Sequence, residues 1–127
     1  LNELTMEKKY IDRGHTGFYL VFKQTGGTGY SSWRGTSYVA AGKTGTAENE
    51  VYGKRADGTS YKIADVENLS LVGYAPYDNP EVAFAVIVPN LSKGRGNQIN
   101  HKIAKELLNT YFDMQKKSDK EAESDDE

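Results

Sequence analysis

The stretch Ala41-Gly42-Lys43-Thr44-Gly45-Thr46-Ala47-Glu48 decides how the rest of this chain is interpreted, because it combines one cation, two hydroxyl groups and glycines in eight residues. The residues before it favour a strand, and Gly45 disfavours a helix that would start at the lysine. The pattern therefore predicts a β-strand over residues 37–49, with a glycine inside it that lets another backbone come close.

The alternation of side chains along this strand separates its polar groups. The hydroxyls of Thr44 and Thr46 face one side, whereas Lys43 and Gly45 face the other. We expect this arrangement to form an anion-binding edge with room beside it for a substrate.

Two other interpretations of the stretch follow from general motifs. Gly42-Lys43-Thr44 resembles the end of a phosphate-binding P-loop, but that motif needs a glycine where this chain has Ser37 and a helix directly after the threonine. A solvated lysine on an edge strand, which protects against aggregation, is the structural alternative. The tetrapeptide alone leaves that alternative open.

Further segments occur in a fixed order around this stretch. Gly27-Thr28-Gly29 precedes it, and Leu71-Val72-Gly73-Tyr74-Ala75-Pro76 and Asp78-Asn79-Pro80-Glu81-Val82-Ala83 follow it. With Lys43-Thr44-Gly45-Thr46, they resemble the transpeptidase domains of class B penicillin-binding proteins, in the superfamily that also contains the serine β-lactamases. The resemblance runs from about Gly17 to Leu108.

The resemblance implies an α/β fold of the α+β type, with antiparallel sheet strands flanked by helices. Residues 1–116 would be the C-terminal portion of a penicillin-binding transpeptidase domain, which is incomplete on its own. Residues 117–127 are polar and mostly acidic, a composition that cannot bury enough surface to become ordered, so we expect a disordered acidic tail.

Local patterns predict the elements before and after the central strand. Residues 1–13 suggest a weakly amphipathic helix or an ordered loop, and the apolar run 18–22 is a helix if the resemblance holds. Residues 31–35 predict a loop after a glycine-rich structural turn. The polar residues 50–68 predict a surface connector, with a turn signal at residues 56–59.

The second half of the chain predicts a hairpin and a helix. Residues 69–76 and 82–89 are apolar strands joined by a turn, and Pro89-Asn90 ends the second one. Their continuous apolarity indicates that both faces are covered. A helix capped by Asn97 then runs to about Gln115, and one apolar stripe on it faces the sheet: Ile99, Ile103, Ala104, Leu107, Leu108, Tyr111 and Phe112.

Composition excludes several classes of function. The chain has no cysteine, and His15 and His101 have no partner at ligand spacing, so we predict no metal and no cofactor. The net charge is -2, and basic residues are not clustered, which argues against nucleic acid as a partner. No apolar run of membrane-spanning length occurs and no leader opens the chain, so we expect a soluble segment.

The nucleophile of the family is missing from this sequence. In the family, a serine in a Ser-x-x-Lys motif attacks the peptide carbonyl, and a Ser-x-Asn motif assists proton transfer. No serine here has a lysine three residues later or an asparagine two residues later, and Thr5-Met6-Glu7-Lys8 has the first spacing only with threonine in place of serine. We expect a C-terminal fragment whose nucleophile lies on an absent upstream segment.

The resemblance also implies roles for the central residues. Lys43 would donate hydrogen bonds to the Ser-x-Asn serine and provide positive potential, and Thr44, Gly45 and Thr46 would bind substrate, with the two hydroxyls on its carboxylate. The backbone N–H of Thr46 would be half of the oxyanion hole, and a donor of this kind is typically worth about 2.7–4 kcal/mol in the transition state. Lys43 and Thr46 are thus the catalytic candidates.

The implied activity is peptidoglycan D,D-transpeptidation, which cross-links stem peptides through an acyl-enzyme and is inhibited by β-lactams. The implied partners are the N-terminal remainder of the same protein, stem peptides and β-lactams. The implied location is the extracytoplasmic face of the bacterial membrane, with an anchor outside this chain. A D,D-carboxypeptidase, a β-lactamase or a non-catalytic β-lactam sensor or scaffold is the alternative.

Overall fold

The computed structural model describes residues 5–94 and 98–125, with side chains as far as residue 119. The strands form one antiparallel sheet in the order β1-β2-β3, and helices pack against it, which confirms the predicted α+β class. The elements in chain order are α1 (Lys8–Lys23), α2 (Tyr30–Trp33), β1 (Ala41–Lys54), β2 (Ser60–Ala75), β3 (Val82–Ser92) and α3 (Ile99–Asp125).

One hydrophobic core joins the helices to the sheet. Its largest fully buried side chains are Phe22 of α1, Trp33 of α2, Leu71 of β2 and Leu108 of α3. The rings of Phe22 and Trp33 are stacked, with centroids 4.5 Å apart. Burying a side chain of this size typically stabilises a fold by about 1.5–3 kcal/mol, so these four residues hold the helices on the sheet.

The central strand begins later than predicted, at Ala41 instead of residue 37. The cause is Tyr38, whose ring enters the core and whose hydroxyl donates to Oδ1 of Asn109 at 3.0 Å. Burial, with the nearby Glu106 carboxylate as a smaller cause, raises the pKa of Tyr38 to about 12. Residues 37–40 therefore connect the core to the sheet and do not extend the ladder.

The predicted surface connector at residues 50–68 is wrong, because β1 and β2 continue through it as a long hairpin. The turn signal itself is confirmed. Gly58 has a φ of 85°, and the backbone N–H of Thr59 donates to Oδ1 of Asp57 at 2.9 Å. The polar sequence of this ribbon does not predict strands. A cross-strand ion pair between Lys62 and Glu50 connects them.

The hairpin of β2 and β3 is confirmed, but β3 does not end at Pro89-Asn90. It continues to Ser92 across a register shift opposite Glu67 and Leu69. Asn90 accommodates the irregularity with a φ of 56°, and its N–H donates to Oδ1 of Asn68 at 2.9 Å. An asparagine tolerates this left-handed backbone, so the proline-asparagine pair marks a bulge.

The expectation that both faces of the sheet are covered is wrong for this chain. Leu71 and Val86 face the core, whereas Val72 and Ile87, one position along each strand, are 44% and 72% exposed. The apolar stripe of α3 is divided in the same way. Ala104 and Leu108 are buried, but Leu107 is 61% exposed, and Ile103 is also exposed. Each element therefore has a second apolar surface.

The helices differ from the predictions in two places. Residues 31–35 were predicted as a loop, but α2 forms one helical turn because the buried Trp33 is drawn into the core and its N–H donates to the carbonyl of Gly29. The helix predicted for residues 18–22 is confirmed as part of α1. The proposed cap Asn97 lies outside the described residues, and α3 continues past Gln115 to Asp125.

Candidate active site

The segment Lys43-Thr44-Gly45-Thr46 lies on β1, an outer strand of the sheet that the structure describes. Gly45 pairs with Ser70 of β2, and a Cβ atom on Gly45 would lie 2.3 Å from the Ser70 hydroxyl. The glycine therefore permits a close contact between the strands. An outer strand leaves half of its N–H and C=O groups without a sheet partner, so a ligand can pair with them.

The predicted separation of the side chains is reproduced by two cavities. Thr44 and Thr46 border a cavity of about 300 Å³ that reaches the start of α3. Lys43 borders a different cavity of about 440 Å³, which lies against α1 and the glycine-rich turn. Gly45, which the alternation predicts on the lysine side, also borders the first cavity.

Lys43 is exposed, and its Nζ donates to the carbonyl oxygen of Thr44 at 2.6 Å. Within the part of the chain that the structure describes, its ammonium group forms no ion pair with a carboxylate. By contrast, Lys93 forms an ion pair at 2.9 Å with Glu48, which follows the tetrapeptide by two residues on β1. Lys43 is thus the basic group of this strand segment that can meet an added anion.

The hydroxyl of Thr44 is hydrogen-bonded to that of Thr28, with 2.8 Å between the two Oγ1 atoms. Thr28 belongs to the turn between α1 and α2 and borders both cavities. The sequence pattern treats this turn as structural only. No spacing rule connects a turn residue with a strand residue sixteen positions later, so the pattern could not place Thr28 in the site.

His101 of α3 borders the cavity of Thr44 and Thr46 and is only 4% exposed. Its Nδ1 accepts a hydrogen bond from Nε1–H of Trp33 at 2.9 Å. An indole nitrogen only donates, so the imidazole is neutral and carries its proton on Nε2. Burial also lowers the pKa of His101, which keeps the ring in this form. The sequence pattern treats this residue as an ordinary histidine.

Asn100, next to this histidine, ties the start of α3 to the sheet. Its side-chain N–H donates to the carbonyl oxygen of Ser70 at 3.0 Å, directly opposite Gly45. Asn100 is 3% exposed, so the contact is protected from water. The cavity beside the two threonines is therefore bounded by side chains whose positions are fixed by buried hydrogen bonds.

The described ranges 5–94 and 98–125 contain no group of three or more His, Cys, Asp or Glu side chains arranged to hold a metal ion. None of their helices is long and apolar enough to span a membrane. What these ranges offer is a cation, two hydroxyls and a strand edge, which can bind and polarise an acyl group that carries a carboxylate.

Comparison with known proteins gives a consistent result. A family model described as the penicillin binding protein transpeptidase domain matches residues 1–109. Penicillin-binding protein 2A of Bacillus subtilis strain 168 is 37% identical over 123 residues, which are 95% of this chain and 16% of that protein. The peptidoglycan D,D-transpeptidase MrdA of Haemophilus influenzae is 32% identical over 104 residues, which are 77% of this chain and 15% of that protein.

A solved structure agrees with these relatives. Penicillin-binding protein 2B from Streptococcus pneumoniae strain R6 superposes with a TM-score of 0.70 and 34% sequence identity. The superposition covers 87% of this chain and 17% of that one. The chain thus spans less than a fifth of the length of the proteins that it resembles.

Proposed function

Because this chain belongs to the penicillin-binding protein transpeptidase domain family, we propose that it supplies the substrate-binding strand of a peptidoglycan D,D-transpeptidase. The observation that supports this best is Lys43-Thr44-Gly45-Thr46 on an outer strand, with a cavity of about 300 Å³ beside its hydroxyls. The enzyme would cross-link stem peptides through a serine acyl-enzyme, and β-lactams would acylate the same serine.

Each residue of the strand has a proposed role. The substrate pairs with β1 as an added strand, and Thr44 and Thr46 donate their hydroxyl protons to its terminal carboxylate. The N–H of Thr46 donates to the oxygen that becomes negative when the serine attacks the carbonyl. Lys43 contributes a positive charge near the site and hydrogen-bonds the assisting serine, while Gly45 leaves room for the backbone of the substrate.

The nucleophile would come from the N-terminal remainder of the same protein. Two observations support this proposal: no serine of the chain has the required lysine, and the chain spans about 16% of Penicillin-binding protein 2A. Val72 and Ile87 form an exposed apolar face on the side of the sheet opposite the core, and this face suits the missing part of the domain. On its own, the fragment would be inactive.

The setting of the reaction is part of the proposal. The full-length protein would work at the extracytoplasmic face of the bacterial membrane, held by a segment outside this chain. Its macromolecular substrate would be peptidoglycan, and no nucleic acid would be bound.

The test uses the full-length protein, a stem pentapeptide as acyl donor and an amine as acceptor. We expect release of the terminal D-alanine and formation of the cross-linked product, both abolished by prior treatment with penicillin. Release without cross-linking would contradict transpeptidation and indicate a carboxypeptidase. Penicillin binding without any turnover of the peptide would indicate a sensor.

A further inference from the structure

Thr28 contacts the proposed carboxylate-binding residue Thr44 across the gap between the glycine-rich turn and β1. The two Oγ1 atoms are 2.8 Å apart, and either hydroxyl can be the donor. Among residues 5–94 and 98–125, no further hydrogen bond to either hydroxyl is found. The orientation of the Thr44 proton is therefore set by Thr28 and by whatever ligand binds.

The turn that carries Thr28 is folded tightly onto the end of α1. The N–H of Gly29 donates to the carbonyl of Val21 at 3.0 Å, and the N–H of Gly27 donates to the carbonyl of Gln24 at 2.8 Å. A Cβ atom on Gly27 would lie 2.5 Å from the carbonyl oxygen of Val21. Only glycine permits this approach, so the backbone on each side of Thr28 has a fixed place.

A single buried ring sets the distance from this turn to the strand. A Cβ atom on Gly29 would lie 2.5 Å from the side chain of Phe22, and one on Gly42 would lie 2.6 Å from it. Phe22 is fully buried and stacked on Trp33. The core therefore holds the turn and β1 against different parts of one ring, and this packing fixes the contact between Thr28 and Thr44.

The chemistry of a hydroxyl gives this contact a direction. Each hydroxyl has one proton to donate and two lone pairs that accept. If Thr44 donates its proton to a substrate carboxylate, its lone pair is free to accept the proton of Thr28. Hydrogen bonds arranged in such a chain polarise and strengthen one another.

We propose that Thr28 is a positioning residue that donates its hydroxyl proton to Thr44 and thereby directs the Thr44 proton at the carboxylate of the substrate. This inference rests on the proposed function. Thr28 acts through Thr44, so its effect is largest for substrates whose charged carboxylate accepts the Thr44 proton.

The test measures the second-order acylation rate of the full-length protein by a penicillin and by the methyl ester of the same penicillin. We expect Thr28→Val to slow acylation by the free acid about threefold to tenfold, as the loss of one neutral hydrogen bond does, and to slow acylation by the ester less, because an ester oxygen is a weaker acceptor than a carboxylate. Thr28→Ser should restore the rate with the acid. Combined with Thr44→Val, the Thr28→Val change should add no further loss.

Thr25→Val is the matched control, because Thr25 lies in the same turn, is exposed and makes no side-chain hydrogen bond within the described residues. It should leave both rates unchanged. A Thr28→Val variant as fast as the wild type, beside a slow Thr44→Val variant, would overturn the role of Thr28 and leave the proposed function standing. Equal losses with acid and ester, or no rescue by serine, would also overturn it. A wild-type protein that no penicillin acylates would overturn the proposed function.

Discussion

Lys43 lies on one side of β1, and Thr44 and Thr46 lie on the other. A single short segment can therefore provide a charge to one cavity and hydroxyls to another. This division follows from the alternation of a strand and needs no other element. The other side chains around the cavity depend on the fold, because Thr28, Asn100 and His101 come from elements far away in sequence.

Replacement of Lys43 by alanine in the full-length protein should slow acylation by a fluorescent penicillin about tenfold to hundredfold, because a charge-assisted hydrogen bond is lost. The fold should be little affected, since Lys43 is exposed. Lys54→Ala at the far end of the same strand is the control and should label at the wild-type rate. Unchanged labelling of the Lys43 variant would remove this residue from the site.

The neutral state of His101 should make stability depend on pH. Its pKa is lowered by burial, so the native state binds this proton less readily than the unfolded chain, whose histidine has a pKa near 6.5. Stability is complete above that value and is lost as the pH falls below it towards the lowered pKa. We expect the melting temperature of the full-length protein to fall between pH 7 and pH 5 more steeply for the wild type than for His101→Gln, which keeps an acceptor but does not titrate. Parallel curves for the two proteins would contradict this assignment.

At the scale of the elements, replacing a glycine by alanine should have opposite effects on stability in β1 and in α1. A Cβ atom on Gly42 would lie 2.4 Å from the carbonyl oxygen of Val72 and 2.6 Å from Phe22, so Gly42→Ala should destabilise the protein by about 1–3 kcal/mol. Gly14 lies inside α1 with no atom near its missing Cβ, so Gly14→Ala should stabilise by about 0.5–1 kcal/mol. Urea unfolding of both variants of the full-length protein measures the two changes, and shifts of the same sign would refute the close packing at Gly42.

The end of α3 should matter little for stability. The helix continues to Asp125, but residues 113–119 are exposed, and Phe112 is the last residue packed against the core among the α3 side chains that the structure describes. Deleting residues 118–127 from the full-length protein should therefore change its free energy of unfolding by no more than about 0.5 kcal/mol. Leu108→Ala, in the buried part of the same helix, should cost about 2–5 kcal/mol. A loss of similar size on deletion would mean that the tail docks on the body.

The elements that sequence reasoning found are those with local signals. The apolar strands and the turn at Asp57-Gly58 are examples, because each depends on neighbouring residues. The ribbon over residues 50–68 was missed because its strands are held by cross-strand pairs such as Glu50 with Lys62, and its exposed faces carry no sustained apolar alternation. The start of β1 was misplaced because Tyr38 has a strong strand propensity, yet tertiary packing places it in the core.

At the scale of the whole molecule, the chain has more apolar surface than its own core covers. Ile87 on the sheet and Leu107 on α3 are examples, at 72% and 61% exposure. The continuous apolarity of the strands predicts two covered faces, but within the described residues Val72 and Ile87 leave the second face exposed. Sequence patterns specify how many faces must be covered, whereas the source of the cover depends on the rest of the protein.

We propose that this chain binds the substrate while the nucleophile lies upstream of it. Covalent attack requires an activated nucleophile, and no serine here has the lysine of the family motif. The isolated chain should therefore form no adduct with a fluorescent penicillin. It should also fold poorly, because its exposed apolar surfaces and outer strands would lack their partners.

The most direct measurement labels the full-length protein with fluorescent penicillin, cuts it upstream of Leu1 and separates the pieces on a denaturing gel. The account predicts that all fluorescence migrates with the N-terminal piece and that this 127-residue piece stays dark. Fluorescence on the 127-residue piece would mean that one of its own residues is the nucleophile and would contradict the account.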